Sequence, residues 1–290
     1  MRRILVATDF STRSDRALRR ATLLARQTGA ALSLLHVVDG DRPDHLVSLD
    51  SAAAEKTLVE LSQTVCDVDG IPCDYRLALD DPFQGVVAAA GTEAADLLVI
   101  GPHRRQILRD VFVGTTAERV IRHSPIPVLM ANGNPAGPYR RALAASDLSA
   151  PSSEAMRSLA RLGLAAGVEL TLFRAIDVPE VALMIRAATS SPEIRHHIEK
   201  REAAGTEELR IFAKTLPLEP SRCLARAAEA TIPTAILQAA AGADADLIVM
   251  GTRGQTGLAR FLLGSVAEGV LRAATIDVLV VPPADPTAGG

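Results

Sequence analysis

The chain has 290 residues, of which 48% are hydrophobic and 22% charged, with a formal net charge of -3. That length suits two ordinary domains, and the composition excludes a disordered chain. Charge is spread evenly, 15 Lys+Arg against 17 Asp+Glu in residues 1–138 and 16 against 17 in the rest, which leaves no electrostatic footprint for nucleic acid.

From the N-terminus, Ile4–Thr8 is a short, almost wholly apolar run, the pattern of a strand buried on both faces. It is far too short for a signal peptide, although basic Arg2 and Arg3 precede it. Ala17, Leu18, Ala21, Leu24 and Ala25 then recur at helical spacing, and Gly29 stands where a helix C-cap would. Leu32–Val38 reads as a second strand, Ala52–Cys66 as a helix and Tyr75–Leu79 as a weaker strand. Gln84–Thr92 reads as a helix, Leu97–Ile100 as a buried strand, Thr116–Arg122 as a final helix and Val128–Met130 as a last strand. Such alternation predicts an α/β fold: a parallel sheet with right-handed crossovers and helices on both faces. The longer apolar stretches are broken by Glu93 and Asp96, and by Asp244 and Asp246, so no membrane span is expected. Cys66, Cys73 and Cys223 have neither metal-ligand spacing nor a CxxC pair, which suits a reducing, cytoplasmic location.

After a turn-rich linker, Asn132–Pro138, the chain repeats itself. The segment Arg2–Ser11 returns as Arg140–Ser149, and the same offset carries Gly29 onto Gly167, Leu32 onto Leu170 and Asp39 onto Asp177. Ala95–Gly101 returns as Ala245–Gly251 at an offset 12 residues larger. That offset then holds for Gly114 and Gly264, Glu118 and Glu268, and Val128-Leu129 and Val278-Leu279. The extra residues are expected between Val178 and Glu208. Two domains follow, 1–131 and 139–282. In parallel sheets ligands sit beyond the carboxyl ends of the strands where strand order reverses. Asp9 and Asp147 end first strands there, and Gly101 and Gly251 end fourth strands.

The second copy carries Gly251-Thr252-Arg253-Gly254, nine residues, then Gly264-Ser265. Glycines after a strand let backbone approach a ligand or adopt positive φ. Gly264-Ser265 opens a helix whose N–H groups could receive phosphate oxygens. A plainer reading exists for each feature. The glycines could be ordinary turn residues, Ser265-x-x-Glu268 and Thr115-x-x-Glu118 are capping boxes in sequence, Asp147 could cap a helix or end a strand, and Arg253 could be a solvated charge.

The tandem copies, the strand-ending aspartate and the Gly-x2-Gly-x9-Gly-Ser spacing resemble the universal stress protein (UspA-type) family along nearly the whole chain. The resemblance implies two tandem five-stranded parallel-sheet domains of Rossmann-like, adenine-nucleotide-binding type, in a family where some members bind ATP and others, lacking the glycines, do not. It places ATP, with or without magnesium, in the second copy. Ala145, Ser146 and Asp147 would lie beside ribose and adenine, and Ala175 would touch adenine through its backbone. Met250, Gly251, Arg253 and Gly254 would line the ribose and phosphates, and Gly264, Ser265 and Val266 would hold the phosphates. It also implies that the last strands, Val128–Met130 and Val278–Val281, meet across a domain or subunit interface, giving an internal pseudo-dimer and scope for a homodimer.

The first copy departs from this pattern. Arg104 stands where the middle glycine belongs, and Pro102 removes a backbone donor, although Asp9 and Gly114 are kept. Arg104, Arg105 and Arg109 could instead face solvent or another anion. Among the histidines only Glu193 and His197 share a helix face, too little for a metal site, while His36, His45, His103 and His123 read as structural. No P-loop, His-Glu-x-x-His or Gly-x-Ser-x-Gly is present, so the sequence supports binding rather than turnover. The expectation is a stress-response binding module without catalytic residues. A slow ATPase or self-phosphorylating enzyme, a lipid or small-molecule scaffold and a protein-docking module are the alternatives.

Overall fold

A computed structural model describes residues 1–102, 115–180, 190–228, 230–254 and 263–283. The first unit runs β1 (Arg3–Ala7), α1 (Thr12–Thr28), β2 (Ala31–Val38), α2 (Asp44–Asp69), β3 (Cys73–Leu79), α3 (Pro82–Thr92), β4 (Leu97–Ile100), α4 (Thr116–His123) and β5 (Val128–Met130). The second runs β6 (Arg141–Ala145), α5 (Ala150–Arg161), β7 (Glu169–Ile176), α6 (Ser191–Ala213), β8 (Arg222–Ala227), α7 (Ile232–Gly242), β9 (Leu247–Gly251), α8 (Ser265–Ala273) and β10 (Asp277–Val281).

The apolar runs are central strands because both faces are covered. Ile4, Leu5, Val6, Leu97, Leu98 and Val99 are completely buried, as are Leu247, Ile248 and Val249. Burying a Leu, Ile or Val side chain stabilises the fold by about 1.5–3 kcal/mol, so these short segments hold the middle of the sheet. On one face Ala17, Ala21 and Leu24 of α1 pack with Leu58 of α2, Met156 of α5 and Leu209 of α6. On the other, Val86 of α3 and Val120 of α4 are joined by Ile236 of α7 and Val270 of α8. Helix α1 starts on Ser11, whose side chain accepts from Ser14 N, and stops at Gly29 in the left-handed region (φ 72°). The matching Gly167 also has φ 72°.

All ten strands form one sheet, ordered β3-β2-β1-β4-β5-β10-β9-β6-β7-β8. Within each unit the pairs are parallel. The units join where β5 and β10 pair antiparallel, with Leu129 opposite Leu279. This is the meeting of last strands expected from the sequence, realised inside one chain. It removes two apolar edges that would otherwise invite aggregation.

A buried polar cluster locks this junction. Asp277, at the start of β10, is completely buried and accepts from Arg20 Nε of α1 at 2.7 Å, from Tyr139 Oη at 2.6 Å and from Gly133 N at 2.7 Å. The Arg20 guanidinium lies 4.2 Å from the Tyr139 ring centroid and donates to Gly137 O at 2.8 Å. Burial, then the Asp277 carboxylate, raises the Tyr139 pKa well above the ordinary phenol value. One ion pair thus ties the first helix to the last strand through the linker. Position 158, the repeat of Arg20, is a buried serine, so the lock has no symmetric twin.

The twelve extra residues of the second unit divide. Leu34 pairs with Tyr75, 41 residues on, whereas Leu172 pairs with Cys223, 51 residues on. The N-cap of α3 is Asp81 and that of α7 is Thr231, 6 and 8 residues beyond those strand positions. Two of the extra residues therefore follow β8, outside the stretch 178–208 expected from the sequence. Among the described residues no helix is long and apolar enough to cross a membrane.

Candidate functional site

Strand order reverses between β1 and β4 in the first unit and between β6 and β9 in the second. Splayed crossovers there open a crevice beyond the carboxyl ends of the strands. In the second unit Ala145 ends β6, and Ser146 N prolongs the ladder by donating to Phe173 O at 2.8 Å. Ser146 Oγ accepts from Leu148 N at 3.1 Å, bending the chain so that Leu148 has φ 66°. Asp147 Oδ1 is held in this turn by Ser149 N at 3.1 Å and Ser152 Oγ at 2.6 Å. Asp147 is therefore not the helix cap, because Ser149 occupies that position on α5.

Its other oxygen faces the glycine loop. A Cβ on Gly254 would lie 2.6 Å from Asp147 Oδ2, too close for any side chain unless the carboxylate moves. Gly251 follows another logic: a Cβ there would crowd Pro151 O at 3.3 Å, where the first turn of α5 presses on the end of β9. Gly101 is placed alike, 2.8 Å from Arg13 O in the first unit. Gly251 and Gly254 are absent from the positive-φ residues, so the conformational reading of these two glycines is corrected to a steric one. Met250 and Thr252 are buried, while Arg253 is half-buried, which lowers its pKa from the usual guanidinium value. Thr252 N donates to Val281 O at 3.0 Å and Thr252 O accepts from Gly264 N at 2.8 Å, so this loop is pinned to β10 and to the start of α8.

The helix that follows opens at Gly264-Ser265, as the sequence predicts, but without the alternative capping box. Gly264 is the N-cap of α8, with extended backbone (φ -69°, ψ 148°), and no side chain caps it. Ser265 is thus the first helical residue, and its reading as a capping-box serine is corrected. In the first unit Thr115, the repeat of Ser265, is itself the cap and accepts from Glu118 N at 3.1 Å, so α4 begins one position later. The Glu118 carboxylate meets Arg122 one turn on. Among the described residues, then, a side-chain oxygen caps α4 but none caps its counterpart α8.

The first crevice differs at Asp9 too. There Asp9 Oδ1 accepts from Ser11 N at 3.1 Å and from the Ser11 hydroxyl, and Oδ2 pairs with Arg13 at 3.4 Å. Burial pushes the Asp9 pKa up, but the Ser11 bonds and Arg13 together hold it below the usual carboxylate value. Pro102 replaces Thr252 and lacks the N–H that binds the last strand in the second unit. A cavity of about 410 Å³ opens beside Asp9, Arg13, His36, Val86, Ile100 and Thr115. His103, Arg104, Arg105, Arg109 and Gly114 lie outside the described residues.

Ala175, on β7, is half-buried against the α7 side of the sheet, and its neighbour Arg174 pairs with Glu208. The structure thus gathers Ser146, Asp147, Gly251, Arg253, Gly254, Gly264 and Ser265 around one loop, with Ala145, Met250 and Val266 beside them. The sequence missed Thr252 and Ser152. Ser152 had a signal, since Ser14 repeats it and is equally buried. Two of the histidines read as structural hold structure: His36 Nδ1 meets Thr8 O at 2.8 Å and stacks on Phe10, while His123 Nδ1 meets Arg119 O at 2.8 Å; His45 is exposed. Glu193 turns back to Ser190 to cap α6, and His197 pairs with Glu180 at 3.1 Å instead. Among the described residues no group of three His, Cys, Asp or Glu could hold a metal ion.

An open parallel sheet built twice, with a crevice at each strand-order reversal, defines a tandem doubly wound α/β protein. The family model described as "Universal stress protein family" matches residues 1–132 and 138–282, and the chain belongs to that family. A universal stress protein of Mycolicibacterium smegmatis is 24% identical over 300 residues, 97% of each chain. One of Thermus aquaticus is 30% identical over 132 residues, 44% of this chain and 96% of its own. The crystal structure of a universal stress protein from Archaeoglobus fulgidus superposes with a TM-score of 0.70 at 21% identity, covering 97% of this chain and 98% of its own, a likeness of fold.

Proposed function

We propose that this protein is an adenine-nucleotide-binding module of the stress response, with ATP held in the second unit. The observation that carries the reading is the fit of Gly254 against Asp147 Oδ2, 2.6 Å from where a Cβ would stand. That contact leaves one position without a side chain beside a carboxylate whose Oδ1 is held by Ser149 and Ser152. Asp147 Oδ2 is suited to accept from ribose hydroxyls, with Ala145 and Ser146 at the adenine edge and Ala175 offering backbone. Gly251, Arg253 and Gly254 line the path to the phosphates. The α8 N-terminus, capped by no side chain, supplies N–H groups of Ser265 and Val266 and the positive end of the helix dipole. Magnesium would arrive with the triphosphate, for which Asp147 is the one carboxylate among the proposed contacts. The role proposed is binding and signalling in the cytoplasm rather than turnover.

The first-unit cavity supports a second reading. With Asp9 paired to Arg13 and the α4 N-terminus capped by Thr115, that crevice suits a small ligand without phosphates.

Denaturing the freshly purified protein and identifying released small molecules by mass spectrometry tests both. Adenine nucleotide is the expected finding, or uptake of added ATP by the emptied protein. A chain that releases none and takes up none overturns the nucleotide reading, and a released phosphate-free ligand favours the second.

A further inference from the structure

The ten-stranded sheet ends in two edge strands, β3 and β8, and the chain treats them differently. An edge strand presents unpaired N–H and C=O groups to any other strand. Pairing with β7 leaves Cys223, Ala225 and Ala227 of β8 pointing outward. Helix α6 closes that edge with its own side chains: Thr206 Oγ1 accepts from Ala225 N at 3.1 Å and Glu202 Oε1 from Ala227 N at 3.0 Å. Gly205 permits the approach, since a Cβ there would strike Ile176 Cδ1 at 2.6 Å.

Strand β3 is covered less: Cys66 Sγ of α2 reaches Cys73 O at 3.6 Å, and no helix side chain takes up its N–H groups among the described residues. The bonds Leu32 N to Pro72 O and Asp80 N to Val38 O turn the even-numbered positions inward, so Cys73, Tyr75, Leu77 and Leu79 face out. Among the described residues no group accepts from the N–H of Tyr75, Leu77 or Leu79. Tyr75 and Leu79 are large apolar side chains with 39% and 61% of their surface exposed, and Val68 of the adjoining α2 is 75% exposed. The edges that pair last strands in this fold, β5 and β10, are already used inside the chain.

We propose that β3 is a homodimer interface, in which β3 pairs antiparallel with β3 of a second copy about a two-fold axis at Tyr75. The sequence Cys73-Asp74-Tyr75-Arg76-Leu77 fits this register. Outward-facing residues must oppose each other, which places Tyr75 against Tyr75 and Cys73 against Leu77. The same register sets Asp74 against Arg76 twice, an opposite-charge cross-strand pair on each side of the axis. Centring the axis on Arg76 would instead oppose two arginines, and centring it on Asp74 two aspartates. Asp74 and Arg76 retain 55% and 50% side-chain exposure beside their partners Arg3 and Glu93, so both can be shared across the axis. A second copy of this chain is thus the occupant that the charge pattern fits.

Sedimentation velocity across a concentration series, on the full chain and its variants, tests this. The wild type should sediment as a dimer. Tyr75→Pro should sediment as a monomer with an unchanged circular dichroism spectrum, because its N–H faces outward and serves no bond to β2. Arg76→Asp should also dissociate the dimer, and the charge exchange Asp74→Arg with Arg76→Asp should restore it. With all three cysteines changed to serine, Tyr75→Cys should cross-link on mild oxidation while Leu79→Cys should not. A wild type that stays monomeric, a dimer indifferent to Arg76→Asp, or cross-linking at position 79 in preference to 75 would each overturn the proposal.

Discussion

The two units share a fold and a strand-ending aspartate, yet the same few positions are used in opposite ways. In the first, Asp9 Oδ2 is taken up by Arg13 and the α4 N-terminus by Thr115. In the second, position 151 is proline, Asp147 Oδ2 looks onto Gly254, and Gly264 caps α8 without a side chain. On the proposed reading the second crevice suits an anion because no side chain of its N-cap residue takes up the N–H donors of α8, so the difference teaches that the choice of cap, on an unchanged fold, can set two like crevices apart.

The asymmetry extends to the junction, where the largest effect is expected. Removing the Asp277 carboxylate with Asp277→Ala leaves Arg20 buried and unpaired, which should cost about 3–5 kcal/mol in urea unfolding. The repeat-related Ser158→Ala should cost far less, and equal losses would show that the lock is not the singular tie between units. Next comes the glycine loop. Gly254→Ala should push Asp147 aside and weaken ATP binding at least ~30-fold, about 2 kcal/mol, and Gly254→Arg should abolish it, both read by equilibrium titration.

Thr115→Ala and Ser265→Ala sharpen the contrast further. The first loses a helix cap and should cost about 1 kcal/mol of stability. The second should leave stability nearly unchanged and weaken ATP binding several-fold. The smallest effect is at Asp9. Its folded pKa lies below the unfolded value, so its contribution is present above about pH 4 and lost as the pH falls through the folded pKa. Asp9 is largely exposed, so Asp9→Asn should flatten the acid limb of the stability profile by less than about 1 kcal/mol.

Much of the fold was legible in the sequence because buried strands need uninterrupted apolar residues and repeats preserve spacing. Ile4–Thr8 and Leu97–Ile100 announced central strands, and Gly29 a left-handed cap whose φ Gly167 repeats. The pairing of β5 with β10 followed from family resemblance and from the cost of bare apolar edges. Other features had no local signal. Arg20 and Asp277 are 257 residues apart, and neither neighbourhood hints at a partner. The reason for Gly254 lies in Asp147, which only the folded loop brings near. The start of α8 at Gly264-Ser265 was legible, whereas Ser265-x-x-Glu268 is a capping box in composition alone, because the backbone of Gly264 claims the cap.

The most direct measurement is the number of ATP molecules bound per chain, counted by equilibrium titration of the emptied wild-type protein and repeated with Gly254→Arg. One site in the wild type and none in the variant is the expected result. Two sites, or one that survives the arginine, would contradict the assignment of the nucleotide to the second unit.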